Sequence, residues 1–156
     1  DMLNKLRPIS EKKVDRLFFA GSIFTHTDDV YGVCRDRKMM IQRLQNILPN
    51  NYLHIGNYCY DEYMNQMGQS KYCLDLLGCG DPNIRSFEIF STQTLRISER
   101  SNVTWPFPED FCEETYFDTP ENLVHKLEIL QNLTELSQSK EELIESIIQK
   151  CAELDW

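Results

Sequence analysis

The stretch QSKYCLDLLGCGDPNIRSFEIFSTQTLRIS, Gln69–Ser98, contains two apolar runs that are separated by a glycine turn and a helical pattern. The first run, Lys71–Gly78, has the length and composition of a buried strand. The Asp-Pro pair that follows opens a helix over Asp81–Ser91, because Asp is a favourable N-cap and Pro loses no hydrogen bond at the first helical position. Thr94–Ser98 predicts the next strand. The stretch therefore predicts a strand–helix–strand unit of a parallel sheet.

The same alternation of strand and helix patterns extends through the rest of the chain. Further strands are predicted at Arg16–Ser22, Asn51–Gly56 and Thr115–Asp118, and further helices at Arg35–Leu48, Asp61–Met67, Thr119–Leu133 and Ser139–Leu154. Short apolar strands between helices indicate a parallel sheet that is covered on both faces. For 156 residues we expect a single domain, residues 1–156, with an α/β fold: a Rossmann-like three-layer sandwich with a mostly parallel sheet.

The charge of the chain limits the ligands that it can bind. The net charge is -9 and the pI is near 4.8. A nucleic-acid binder needs a basic face that displaces counterions from phosphates, so we expect no nucleic-acid partner. A small basic pocket stays possible, because net charge describes the whole surface. No apolar run approaches the length of a membrane span, so we expect none.

The cysteines and the first residue give expectations about location and completeness. Of six cysteines, Cys73 lies in an apolar run and Cys151 in an amphipathic helix pattern, positions typical of buried free thiols. No Cys-x-x-Cys motif occurs, and we favour reduced thiols, hence a cytoplasmic protein, over disulfides or a zinc site. The chain begins at Asp1 rather than Met, so we expect either a fragment of a longer protein or a chain trimmed at its start, with an upstream part missing.

The turn inside the opening stretch is the first candidate binding site. Gly80 and the glycine two residues before it leave room for a ligand at a helix N-terminus, whose free N–H groups favour an anion. Arg85 and Glu88 are three residues apart and share one face of the predicted helix. An Arg suits a phosphate, and a carboxylate suits the two adjacent hydroxyls of a ribose. Lys71 is a further candidate cation, and the alternative for Arg85 and Glu88 is a solvated surface ion pair.

The loop after the first predicted strand is the second candidate. In open parallel sheets the ligand lies outside the carboxyl ends of the strands, which is where Ser22 is expected. Arg35, Arg37 and Lys38 open the next helix and are candidates to hold a diphosphate. Basic residues at a helix N-terminus oppose its dipole, which favours a binding role over a merely solvated helix end. No Asp-x-Asp follows a strand, so we expect no metal and no other cofactor.

Several of these segments resemble the donor-binding half of GT-B glycosyltransferases, most closely the exostosin-like and CgeB-like groups and related enzymes of large algal viruses. The likeness is strongest over MNQMGQSKYCLDLLGCGDPNIRSFEIFSTQTLRISE, Met64–Glu99, and extends to RLFFAGS, Arg16–Ser22, and FPEDFCEETYFDTPENLVHKLEIL, Phe107–Leu130. It covers about Arg16 to Leu136. Its most specific part is Lys71 together with Arg85 and Glu88.

The resemblance implies a role for each candidate residue. Glu88 would hold the ribose hydroxyls, and Tyr60 or Tyr58 would lie near the base. The residues implied to face the diphosphate are Ser22, Arg35, Lys71 and Arg85, next to the turn at Gly80. Many retaining members carry a Glu at the position of Gly80, so the stereochemistry of transfer is open.

The resemblance also implies an activity. This chain would be one half of a GT-B fold, a metal-independent enzyme that transfers a sugar from a nucleoside diphosphate sugar, UDP-linked rather than GDP-linked, to a hydroxyl of a glycan or protein. The acceptor domain is absent, so the isolated domain is expected to be inactive in transfer. A viral enzyme would act in the host cytoplasm. Two alternatives are a non-catalytic nucleotide-binding or scaffold module and a flavodoxin-like or dehydrogenase-type domain.

Overall fold

The protein is described by a computed structural model over residues 14–21, 37–77, 84–92, 94–100 and 115–136. The strands are β1 Val14–Phe19, β2 Leu53–Ile55, β3 Ser70–Asp75, β4 Leu95–Glu99 and β5 Tyr116–Phe117. The helices are α1 Arg37–Ile47, α2 Tyr60–Gln69, α3 Ile84–Ser91 and α4 Pro120–Leu136. In the part of the chain so described, no helix is long and apolar enough to cross a membrane. The helix expected at Ser139–Leu154 lies outside these residues.

The five strands form one sheet, and every pair of neighbours is parallel. The strand order is β2-β1-β3-β4-β5, so β1 lies between β2 and β3. The prediction of a mostly parallel α/β sheet is therefore confirmed. Parallel neighbours require crossover connections, and the helices α1, α2 and α3 fill those between the first four strands.

Alternation of side chains along the strands divides the core into two layers, one on each face of the sheet. Leu17 and Phe19 of β1 point to the face that α1 and α4 cover, where they pack in one cluster with Leu44 and Leu123. Phe18 points the other way. It joins a smaller cluster whose members come from β3, α2 and α3: Cys73, Tyr63, Met67 and Ile89. The fold is thus the expected three-layer sandwich, with two helices on each face of the sheet.

The buried carboxylate of Asp75 connects β3 to both β4 and α3. Asp75 ends β3 and is only 2% exposed. One of its carboxylate oxygens, Oδ2, accepts hydrogen bonds from Nε of Arg96 in β4 at 2.6 Å and from Oγ of Ser86 in α3 at 2.5 Å. A buried carboxylate is tolerated when such partners offset its desolvation. Ser86 follows Arg85 directly, so its hydrogen bond to Asp75 also holds the start of α3, where the candidate arginine lies.

Candidate functional site

A cleft of about 730 Å³ opens at the carboxyl ends of β1 and β2. It is lined by Ala20 and Gly21 after β1, by Ile55–Tyr58 at the end of β2, by Tyr60 and Tyr63 of α2, and by Arg85 and Glu88 of α3. The helix that follows β1 and the helix that follows β3 lie on opposite faces, although β1 and β3 are neighbours. Such a divergence leaves a crevice at the carboxyl edge, which is where open α/β sheets bind their ligands.

Arg85 carries the positive charge of the cleft. Its guanidinium carbon lies 4.8 Å from the ring centre of Phe19, the last residue of β1. Its Nε and Nη1 atoms are buried and have no hydrogen-bond partner in the part of the chain that the structure describes. A Cβ atom at Gly21 would overlap the guanidinium, so the glycine after β1 makes room for it. Buried charged donors without an acceptor are costly, and an anion in the cleft would supply one.

Glu88 lies one turn further along α3 and carries the negative charge. Its Oε2 atom accepts a hydrogen bond from the Tyr63 hydroxyl at 2.9 Å. Burial raises the pKa of the Tyr63 phenol, and the Cys73 and Glu88 side chains raise it further, so the phenol stays protonated and is the donor. One carboxylate oxygen of Glu88 is therefore engaged, and the group keeps acceptor capacity for other donors.

Arg85 and Glu88 share one helix face, as their spacing predicts. The surface ion pair considered as an alternative does not form between these two described side chains, whose charged groups engage Phe19 and Tyr63 instead. The cleft thus presents a cation and a carboxylate side by side without mutual neutralisation.

The ring of Tyr58, which lines the cleft, is supported by two further rings behind it. Phe18, His54 and Tyr58 stack on one another with ring centres 5.9 to 6.2 Å apart. The Nε2 atom of His54 and the Tyr58 hydroxyl share a hydrogen bond of 2.6 Å. Burial, with a contribution from the nearby Arg16 charge, lowers the pKa of His54. Tyr60 is 54% exposed at the mouth, where its ring is free to contact a planar ligand.

The structure brings together three of the seven residues predicted for the site: Tyr60, Arg85 and Glu88. Three others, Ser22, Arg35 and Gly80, lie outside the described residues. Lys71 is not brought to the cleft, because it is the second residue of β3 and the cleft lies beyond the strands' carboxyl ends. Asp75, the last residue of β3, lies four positions and roughly 13 Å along the strand from Lys71.

Arg37, the first residue of α1, was predicted to hold a diphosphate, but its guanidinium contacts the backbone instead. Its Nε donates to the Leu77 carbonyl oxygen at 2.9 Å, and its Nη2 to the Leu76 carbonyl oxygen at 3.3 Å. The Leu77 N–H in turn donates to Oε2 of Glu99 at 3.0 Å. Burial lowers the pKa of Arg37, and the nearby Arg85 charge lowers it further. Arg37 therefore braces the chain just after β3 and adds to the positive potential beside the cleft.

Sequence reasoning missed two features of the site. The sequence pattern places Tyr63 in a short helix, and nothing in it pairs this residue with a carboxylate 25 positions later on another helix. The buried pair of Asp75 and Arg96 was missed as well, because the sequence does not give the register of the two strands. In that register Asp75 is opposite Ser98, so the two charges are offset by two positions rather than matched.

No group of three or more His, Cys, Asp or Glu side chains that could hold a metal ion occurs among the described residues. Comparisons with protein-family models, with curated proteins and with solved structures found no match to this chain. The ligand of this domain must therefore be inferred from the chemistry of the cleft and from the sequence resemblance.

Proposed function

We propose that this domain binds a nucleoside diphosphate sugar in the cleft and is the donor-binding half of a glycosyltransferase. The observation that carries the proposal is the guanidinium of Arg85, with two buried donor atoms that lack a partner among the described residues, one helical turn from Glu88. The cleft volume of about 730 Å³ lies within the range of small-molecule sites.

Each part of such a ligand has a matching group. The Arg85 guanidinium would donate to the diphosphate, because it is planar, permanently charged and suited to paired oxygen acceptors. Glu88 would accept hydrogen bonds from the ribose hydroxyls with the capacity that Tyr63 leaves. The exposed ring of Tyr60 would pack against the base, and UDP is the first nucleotide to test.

The chemistry expected of the full enzyme is breakage of the bond between the sugar and the diphosphate as an acceptor hydroxyl attacks the sugar carbon. The diphosphate leaves with the bonding electron pair, and its growing negative charge is stabilised electrostatically by Arg85. The hydroxyl proton goes to a base that we expect the acceptor half to supply. This proposal requires no metal for donor binding.

Thermal denaturation with UDP, GDP, ADP and their sugar conjugates, with and without EDTA, tests the proposal. A nucleotide at about 100 times its Kd should add roughly 2.7 kcal/mol to the unfolding free energy. Arg85→Ala should lose this effect, whereas Arg43→Ala should keep it, because Arg43 is an exposed arginine paired with Glu121. If no nucleotide stabilises the protein, the donor-site proposal fails. A strict requirement for a divalent cation would overturn its metal-free part.

The strand order favours a second candidate. The order 2-1-3-4-5 is that of flavodoxin-like domains, which bind flavin mononucleotide at the divergence between the first and third strands. An absorbance spectrum of the purified protein, followed by titration with flavin mononucleotide, decides between the two. A scaffold module without catalysis is distinguished by assaying sugar transfer with the full-length chain and with this domain, which should bind but not transfer.

A further inference from the structure

Arg85 and Glu88 lie one turn apart on α3 but form no ion pair with each other, and this arrangement needs a physical explanation. Opposite charges at i and i+3 of a helix attract one another and commonly pair. Here the Glu88 carboxylate is held at 2.9 Å by the hydroxyl of Tyr63, a residue of the neighbouring helix α2. Tyr63 is only 9% exposed, and its ring packs against Phe18 and Tyr60 with ring centres 6.1 and 6.2 Å away. A packed, buried phenol is a fixed donor, so it can hold the carboxylate in one orientation.

We propose that Tyr63 is a positioning residue that holds the Glu88 carboxylate off Arg85 and so keeps the guanidinium open to an anionic ligand. The inference rests on the proposed function, in which Arg85 binds the diphosphate. Without the Tyr63 hydroxyl, the carboxylate loses its buried donor and keeps only the exposed Tyr60 hydroxyl nearby, so it is expected to turn toward the cation one turn away. In a partly buried site such an ion pair is strong, and an incoming anion would have to displace it.

Tyr60 does not fill this role equally well. Its pKa is raised, first by burial of its hydroxyl and then by the nearby Glu88 carboxylate, so it too stays protonated. The Tyr60 hydroxyl also interacts with the Glu88 carboxylate by hydrogen bonding, but its side chain is 54% exposed, whereas Tyr63 is only 9% exposed, so water competes for the Tyr60 contact. The structure gives the direct hydrogen bond to Tyr63, and Tyr63 is therefore the residue to change.

The test is calorimetric titration of inorganic pyrophosphate into four proteins: wild type, Tyr63→Phe, Glu88→Gln and the double variant. Pyrophosphate carries no ribose, so it reports on Arg85 without any direct contact expected from Glu88. Tyr63→Phe keeps the packed ring and should weaken pyrophosphate binding roughly tenfold, the effect of one competing charged interaction. The double variant should regain the affinity of Glu88→Gln alone, because the substituted amide side chain carries no charge that could neutralise Arg85.

Recovery in the double variant is the decisive result, since a cleft that was merely loosened by Tyr63→Phe would stay weak. Tyr52→Phe is the matched control: it removes a phenol hydroxyl that contacts Asp15 and Gln131 away from the cleft, and should bind as wild type does. Unchanged affinity in Tyr63→Phe, or a double variant as weak as Tyr63→Phe, overturns the inference and leaves the proposed function standing. A wild type that binds neither UDP nor pyrophosphate overturns both.

Discussion

Replacing Arg85 with Met should make the ligand-free protein more stable while reducing its stabilisation by nucleotide. Met has a similar length, so the packing of the aliphatic stem is largely retained. The change removes a charge whose Nε and Nη1 atoms are buried without a partner among the described residues. It also removes the contact of the guanidinium with the Phe19 ring.

Removing the unpaired charge stabilises the protein, whereas losing the contact with Phe19 destabilises it. The first effect is the larger. A buried donor left without an acceptor costs about 1–3 kcal/mol, and Arg85 has two such atoms. The contact of a cation with an aromatic face contributes roughly 0.5–2 kcal/mol. Arg85 as a whole is only half-buried, which reduces the cost of its two unpaired atoms, so we expect a net gain of about 1–2 kcal/mol. At this chain length that corresponds to a rise of roughly 2–8 °C in Tm.

Urea denaturation with and without UDP measures both parts of this prediction. At a UDP concentration of about 100 times the wild-type Kd, the wild type gains roughly 2.7 kcal/mol. A ten- to hundredfold weaker variant gains only about 0.4–1.4 kcal/mol at the same concentration. Arg43→Met, an exposed control, should change the unfolding free energy by less than about 1 kcal/mol and keep the UDP response. If ligand-free Arg85→Met is less stable than the wild type, the argument from unpaired buried donors is refuted.

Three further changes probe the surroundings of the cleft. Asp75→Ala leaves Arg96 buried without its carboxylate and should lower the unfolding free energy by about 3–5 kcal/mol in urea titrations; a loss below about 1 kcal/mol would contradict a buried ion pair. Gly21→Ala should displace the Arg85 guanidinium and weaken UDP binding by calorimetry, and unchanged affinity would count against this placement. As the pH falls from about 7 to 5, the His54→Gln variant should lose less unfolding free energy than the wild type. The pKa of His54 is lowered by folding, so the unfolded chain protonates first as the pH falls; identical pH dependence in both proteins would exclude this role.

The elements of the fold could be predicted because their causes are local. The apolar run from Lys71 places β3 within one residue of its start, and Pro120 marks the beginning of α4. The order of the strands could not be predicted in this way, since it depends on which edges pair across long stretches of chain. Periodicity reports which face of an element is buried but not which neighbour buries it.

Only the part of the candidate site that lies on one face of α3 could be predicted from the sequence. Arg85 and Glu88 share a face because their spacing is helical, and the structure places both at the cleft. Lys71 is a candidate by its closeness in sequence to the turn, but a strand carries its first and last residues to opposite edges of the sheet. The contact between Glu88 and Tyr63 depends on the packing of two helices, which no local pattern records.

The cleft presents a cation in a chain that is acidic as a whole. With a net charge of -9, the protein repels an anionic ligand at long range, so steering cannot be the source of affinity. Salt at physiological strength limits such repulsion to about 8 Å, whereas contacts inside a partly buried cleft are screened far less. Affinity for a diphosphate would then depend on whether Arg85 meets it unpaired. Under the proposed role of Tyr63, its hydrogen bond to Glu88 would then influence affinity more than basic residues on the surface would, because salt screens exposed charges.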